Sequence, residues 1–116
     1  MEHRKDSRLP VEFRSSFSSA NLVSGHGALH DLSIRGCRVT SLIDVKPGAV
    51  LQLRIYTTEE NRPIQISQAV VRWCQTGSFG CEFVNLSPDD WERLQQVIRE
   101  LELHPFQRRN EDTEAA

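Results

Sequence analysis

Two groups of side chains in this sequence have the types and spacing to do chemistry. The first is Arg4 and Arg8 in the stretch RKDSR, which breaks at Leu9-Pro10. A guanidinium is a planar fork that meets a phosphate through two parallel hydrogen bonds and can stack its flat face on a base. Two of them four positions apart, ahead of a proline, could fold over an anionic, planar ligand. They need an opposing wall. The second group, Asp31-Leu32-Ser33-Ile34-Arg35-Gly36, offers one. Asp31 can accept hydrogen bonds from the N–H edge of a guanine, the Ser33 hydroxyl can donate to a phosphate, and Gly36 permits close backbone approach or a positive φ. Each group has a plainer explanation: arginines at this spacing are common on surfaces, and Asp and Ser satisfy backbone groups in ordinary turns.

Catalysis is poorly supported. No Gly-x-Ser-x-Gly elbow is present. His26 and His30, with Cys37 nearby, could be read as metal ligands. The glycines flanking His26 make a helix there unfavourable, so the four-residue spacing carries no shared face. The carboxylate pairs Glu59-Glu60 and Asp89-Asp90 fall in a turn and at a helix start, where each has a structural reason. The odd count of 3 cysteines, without Cys-x-x-Cys spacing, argues against a disulfide framework and a zinc site. We expect no enzyme and no metal.

Composition bounds the rest. The chain of 116 residues suits one domain with one modest core. Its 14 Lys and Arg against 16 Asp and Glu give a net charge of −2, so nothing draws the whole molecule to nucleic acid or to a membrane surface. Any anion site must be built locally from a few arginines. No apolar run approaches a membrane span and no leader pattern precedes the first strand, which points to a soluble, reduced, cytoplasmic protein.

The elements that must position these groups are mostly short strands. Pro10 pushes Leu9 toward extended geometry, so the arginines lie on an arm, not on one helical face. Val11, Phe13, Ser15 and Phe17 alternate with polar residues, as on a half-buried strand. Ser24-Gly25-His26-Gly27 reads as a turn returning through Ala28-Leu29-His30. A short strand at Cys37-Arg38-Val39 and a turn at Lys46-Pro47-Gly48 follow. Next come an amphipathic strand through Leu51, Leu53 and Ile55, a loop at Glu59–Arg62, a long strand from Ile64 to Trp73, a turn at Gln75–Ser78 and a strand through Cys81–Val84. Ser87 then caps a helix, Pro88 fits its first position, and Asp89 and Asp90 complement its dipole. Trp91, Leu94, Ile98 and Leu101 form its apolar stripe, and His104-Pro105 ends it. The fold class expected is all-β: a small six-stranded antiparallel (split) barrel with one C-terminal helix.

Taken together and in this order, the two motifs resemble those of the PilZ domain, the bacterial receptor module for the second messenger cyclic di-GMP. Arg4–Arg8 matches the family's RxxxR arm, and DLSIRG matches its [D/N]xSxxG motif. AVVRW with the turn after it, followed by GCEFVNLSPDDWERL, resembles the last strand pair and closing helix. The resemblance covers roughly residues 2–103. It implies a six-stranded barrel with a helix across one end. It implies that Arg4 and Arg8 grip phosphates and a guanine, that Asp31 and Ser33 contact guanine and ligand backbone, and that Gly36 keeps the strand surface clear. Trp73 falls where some members place an aromatic beside the base, although a barrel tryptophan is equally in keeping with the position. Arg38 is a further phosphate contact or an outward strand residue. His3 stands where many members carry an additional arginine, which bears on affinity and on whether one ligand or an intercalated pair binds.

The organisation implied is an arm at 1–9, a PilZ-like barrel with its helix at 10–103, and a disordered polar tail at 104–116. The function implied is a stand-alone receptor that binds cyclic di-GMP and relays the signal by conformational change to an unidentified downstream protein. No DNA or RNA and no membrane insertion are expected. The alternative is a PilZ-like adaptor that binds protein but no nucleotide.

Overall fold

The computed structural model describes residues 8–19, 24–57 and 62–103. The expectations for His3, Arg4, the Glu59–Asn61 loop and the 104–116 tail lie outside these residues. Six strands and a helix follow in order: β1 (Leu9–Ser18), β2 (Ser24–Leu32), β3 (Gly36–Thr40), β4 (Val50–Tyr56), β5 (Ile64–Gln75), β6 (Ser78–Asn85) and α1 (Pro88–Leu103). The strands close into an antiparallel barrel in the order β1-β2-β3-β6-β5-β4. Closure comes from β1 pairing with β4 through Arg14↔Tyr56 to Ser18↔Gln52, so the first strand has neighbours on both sides. Closing the sheet removes its open edges.

Period-two alternation becomes an inside and an outside. On β4, Leu51, Leu53 and Ile55 point inward and are buried, and on β5 Ile64, Ile66, Ala69 and Val71 do the same. Phe17 of β1 meets Phe79 of β6 edge to face across the interior, with ring centroids 5.2 Å apart. Each such fully buried side chain contributes about 1.5–3 kcal/mol of burial. Ser15 is buried among them, its hydroxyl donating to the Gly27 carbonyl at 3.0 Å.

One turn expected from the sequence is strand instead. Ser24–Gly27 is the first part of β2, paired with Ser15–Ser18 of β1. The glycines are there for close approach. A Cβ on Gly27 would stand 2.4 Å from the Thr40 carbonyl oxygen, and one on Gly25 would stand 2.6 Å from Ile43 Cγ1. The turn glycines are Gly48 (φ 93°) and Gly77 (φ 81°), where the left-handed backbone favours a residue without Cβ.

Helix α1 starts as its sequence dictates. The Ser87 hydroxyl accepts the Asp90 N–H at 3.1 Å and donates to the Asp90 carboxylate at 2.8 Å. The other Asp90 oxygen accepts the Gln65 N–H at 3.1 Å, Arg62 pairs with Asp89 at 2.9 Å, and Arg93 donates to the Pro63 carbonyl at 3.1 Å. These contacts tie the helix to the start of β5. Leu94 and Leu101 are buried against the barrel, with Val97 and Ile98 packed beside them. Trp91 does not complete the stripe: it is 39% exposed at the helix start.

Candidate functional site

The site is built where three strand ends meet. Leu9 pairs with Leu32, which brings Arg8, one residue upstream, beside Ser33. Between β2 and β3 the chain makes a tight turn over Ser33–Arg35. The Ser33 hydroxyl accepts the N–H groups of Arg35 and Gly36, both at 3.1 Å, and the Ser33 N–H donates to the Gly36 carbonyl at 2.9 Å. The Phe83 N–H then donates to the Arg35 carbonyl at 2.8 Å and lashes the turn to β6. Ser33 is 1% exposed, so its hydroxyl serves the turn that presents Arg35. Gly36 serves close packing: a Cβ there would stand 2.2 Å from the Cys81 carbonyl oxygen.

The cleft above this turn has a volume of about 220 Å³ and is lined by Arg8, Ser33, Arg35, Arg72, Gly80, Cys81 and Glu82. Among the described residues it therefore collects three guanidiniums and one carboxylate. Arg8 and the DLSIRG turn, far apart in sequence, share it. Arg35 and Arg72 were not singled out from the sequence. Arg35 lay inside a motif whose other positions carried the argument. Arg72 is a polar residue in a strand, and its place depends on register. In β5 the pairing runs Val71↔Cys81 and then Trp73↔Gly80, so Arg72 is the extra residue of a β-bulge. Bulges re-aim a side chain and are frequent beside functional sites. Here the bulge lies against the cleft, and Arg72 Nε meets Glu82 Oε1 at 2.7 Å.

The remaining candidates lie around this centre. Asp31 and Arg38 face each other across β2 and β3 and form an ion pair at 2.9 Å, so each carries a partner before any ligand arrives. The Trp73 indole lies over Gly80, where an added Cβ would stand 2.2 Å from Nε1. It borders the cleft through that glycine and does not line the cleft itself. Beneath the site, Cys37 and Cys81 are paired across β3 and β6 and both are buried. Hydrogen bonding to Cys81, together with burial, holds the Cys37 thiol well above its usual range, so it stays protonated at neutral pH. A second groove of about 390 Å³ adjoins the cleft, shares Arg35 and Glu82 with it, and runs past Val84 to Trp91.

The profile of the PilZ domain matches residues 2–100. The chain belongs to the PilZ domain family. The match encloses both motifs and all but the last turn of the closing helix. Members of this family are cyclic di-GMP receptors and not, in general, enzymes. No curated protein sequence matches the chain. Solved structures share its fold at low identity. The Bacillus subtilis inhibitor of motility MotI/DgrA superposes with a TM-score of 0.72 at 19% identity, over 90% of this chain and 53% of that one. YcgR from Escherichia coli, solved in complex with c-di-GMP, gives 0.70 at 18%, over 96% of this chain and 51% of that one. The PilZ domain of CeSA from a cellulose-synthesizing bacterium gives 0.66 at 14%, over 83% and 98%. The chain thus spans about half the length of the first two and nearly the whole of the third. No helix among the described residues is long and apolar enough to cross a membrane.

Proposed function

We propose that this PilZ domain binds cyclic di-GMP in the arginine-lined cleft and passes the signal to a partner protein in the bacterial cytoplasm, without catalysis. The observation that carries the reading is the meeting of Arg8 with the DLSIRG turn in one cleft. The ligand has two singly charged phosphodiesters and two guanines. Arg4 and Arg8, from the arm ahead of β1, take phosphate oxygens and a guanine face. Asp31, already oriented by Arg38, offers carboxylate oxygen to a guanine N–H edge. Ser33 and Gly36 act through the turn and strand contact that hold the cleft's floor. Arg38 shares the anion, Trp73 borders the base, and His3 supplies an extra donor to the arm. MrkH of K. pneumonia is a c-di-GMP-dependent transcription regulatory factor with the same fold, at 18% identity. For this chain the net charge of −2 favours a protein partner over nucleic acid.

Isothermal titration with cyclic di-GMP, with GTP and GMP as controls, tests the reading. Selective binding at micromolar or lower concentration is expected. Arg8→Ala should weaken it about tenfold to a hundredfold, the loss of a charged, bidentate contact. Equal binding by both proteins would reject the site. No binding by the wild type would turn the reading to a protein adaptor that uses the fold without nucleotide.

A further inference from the structure

We propose that Glu82 is a resident counter-anion of the cleft, which a ligand phosphate must displace from Arg72 before it can bind. This rests on the reading of the cleft as a phosphate site, and adds a device that lowers and gates its affinity. The β5 bulge aims Arg72 at the cleft that Arg8 and Arg35 also line. A guanidinium so placed has one obvious use, the recognition of an oxyanion. The position is already filled by an oxyanion of the protein's own, because Glu82 Oε1 sits 2.7 Å from Arg72 Nε. A phosphate oxygen and a carboxylate oxygen compete for the same N–H edge, and they repel each other if both remain.

The pair is also suited to exchange. The side chains of Arg72 and Glu82 are 56% and 42% exposed, so water can take up either partner as it leaves. An exposed ion pair contributes little to stability, and opening it costs little. A buried pair could not be opened in this way. Glu82 lies on β6 opposite Gly36, whose close contact with the Cys81 carbonyl fixes the strand. The backbone therefore stays in place while the side chain moves. Because Glu82 lines both the cleft and the groove that runs to Trp91, its release changes the surface of that groove when the cleft fills.

The test uses the full chain in four forms: wild type, Glu82→Gln, Arg72→Ala and the double variant. Gln keeps the size of Glu82 and removes its charge. Two probes are titrated, inorganic pyrophosphate and cyclic di-GMP, by calorimetry and by the NMR signal of the Arg72 Nε–H group. Glu82→Gln should bind pyrophosphate about three- to tenfold more tightly than wild type, since one competing pair and one repulsion are lost. Arg72→Ala should bind more weakly, and the Gln substitution should bring a clearly smaller gain in its background, the relief of repulsion alone, which is the signature of coupling. In the wild type the Arg72 Nε–H signal should shift as pyrophosphate replaces the carboxylate. Equal or weaker pyrophosphate binding by Glu82→Gln, a full gain in the Arg72→Ala background, or an unmoved Nε–H signal would each overturn the proposal. A wild type that ignores cyclic di-GMP while Glu82→Gln tightens pyrophosphate would leave the counter-anion standing and remove the dinucleotide as ligand.

Discussion

Gly36→Ala separates a ligand-contacting role from a structural one inside the DLSIRG motif. The new methyl carbon would stand 2.2 Å from the Cys81 carbonyl oxygen, 3.2 Å from the Cys81 carbonyl carbon and 3.3 Å from the Glu82 Cα. Ordinary carbon–oxygen contacts begin near ~3.3 Å, so β3 and β6 must part by about 1 Å. All three opposing atoms are backbone, and no side chain can swing aside. Overpacking of this kind costs about 1–3 kcal/mol. The shift also strains the Phe83-to-Arg35 and Ser33-to-Gly36 backbone bonds, now 2.8 and 2.9 Å, for about 1 kcal/mol more. Alanine recovers ~0.4–1 kcal/mol by stiffening the unfolded chain. The net loss is about 2–3 kcal/mol, or roughly 10 °C in Tm. Gly80→Ala is the control. The three atoms nearest its methyl all belong to the Trp73 indole, with Nε1 at 2.2 Å. The indole is partly exposed and can move, so the cost is about 1 kcal/mol. Urea unfolding of both variants decides. Gly36→Ala within 0.5 kcal/mol of wild type, or Gly80→Ala the more damaging of the two, would refute the reasoning that the motif's glycine serves strand packing.

Two further outcomes follow from the fold. Ser87→Ala removes the acceptor of the Asp90 N–H and should cost about 1 kcal/mol in urea unfolding; a neutral result would show that the contacts to Arg62, Pro63 and Gln65 hold the helix start without the cap. The raised pKa of Cys37 means that the folded state holds its proton to higher pH than the unfolded state. The stability this contributes is complete below the ordinary thiol value of 9.0 and is lost as pH rises past it. Urea midpoints of wild type should fall more steeply above about pH 9 than those of Cys37→Ala, and equal slopes would contradict the assignment.

Much of the architecture is written locally. Alternation in Leu51-Gln52-Leu53-Arg54-Ile55 specifies a strand with one buried face whatever surrounds it. Ser87-Pro88-Asp89-Asp90 specifies a helix start because a cap, a fixed φ and the dipole act within one turn. Ser24–Gly27 was misread because glycine has two uses, a positive φ and the absence of a Cβ. The choice between them depends on Thr40 and Ile43, which no local window contains.

The site divides along the same line. Arg8 and the residues of DLSIRG stood out because the two motifs, together and in this order, resemble those of the PilZ domain. The tertiary structure decided what each does: Ser33 and Gly36 serve the turn and the strand contact, and Asp31 comes paired with Arg38. It alone brought Arg35, Arg72 and Glu82 into the cleft. Strand order places β6 between β3 and β5, and one extra residue in the β5 register aims Arg72. A segment's own residues determine its periodicity and its caps. Which strand it meets, and in what register, is settled by the fit of every other strand around a closed barrel.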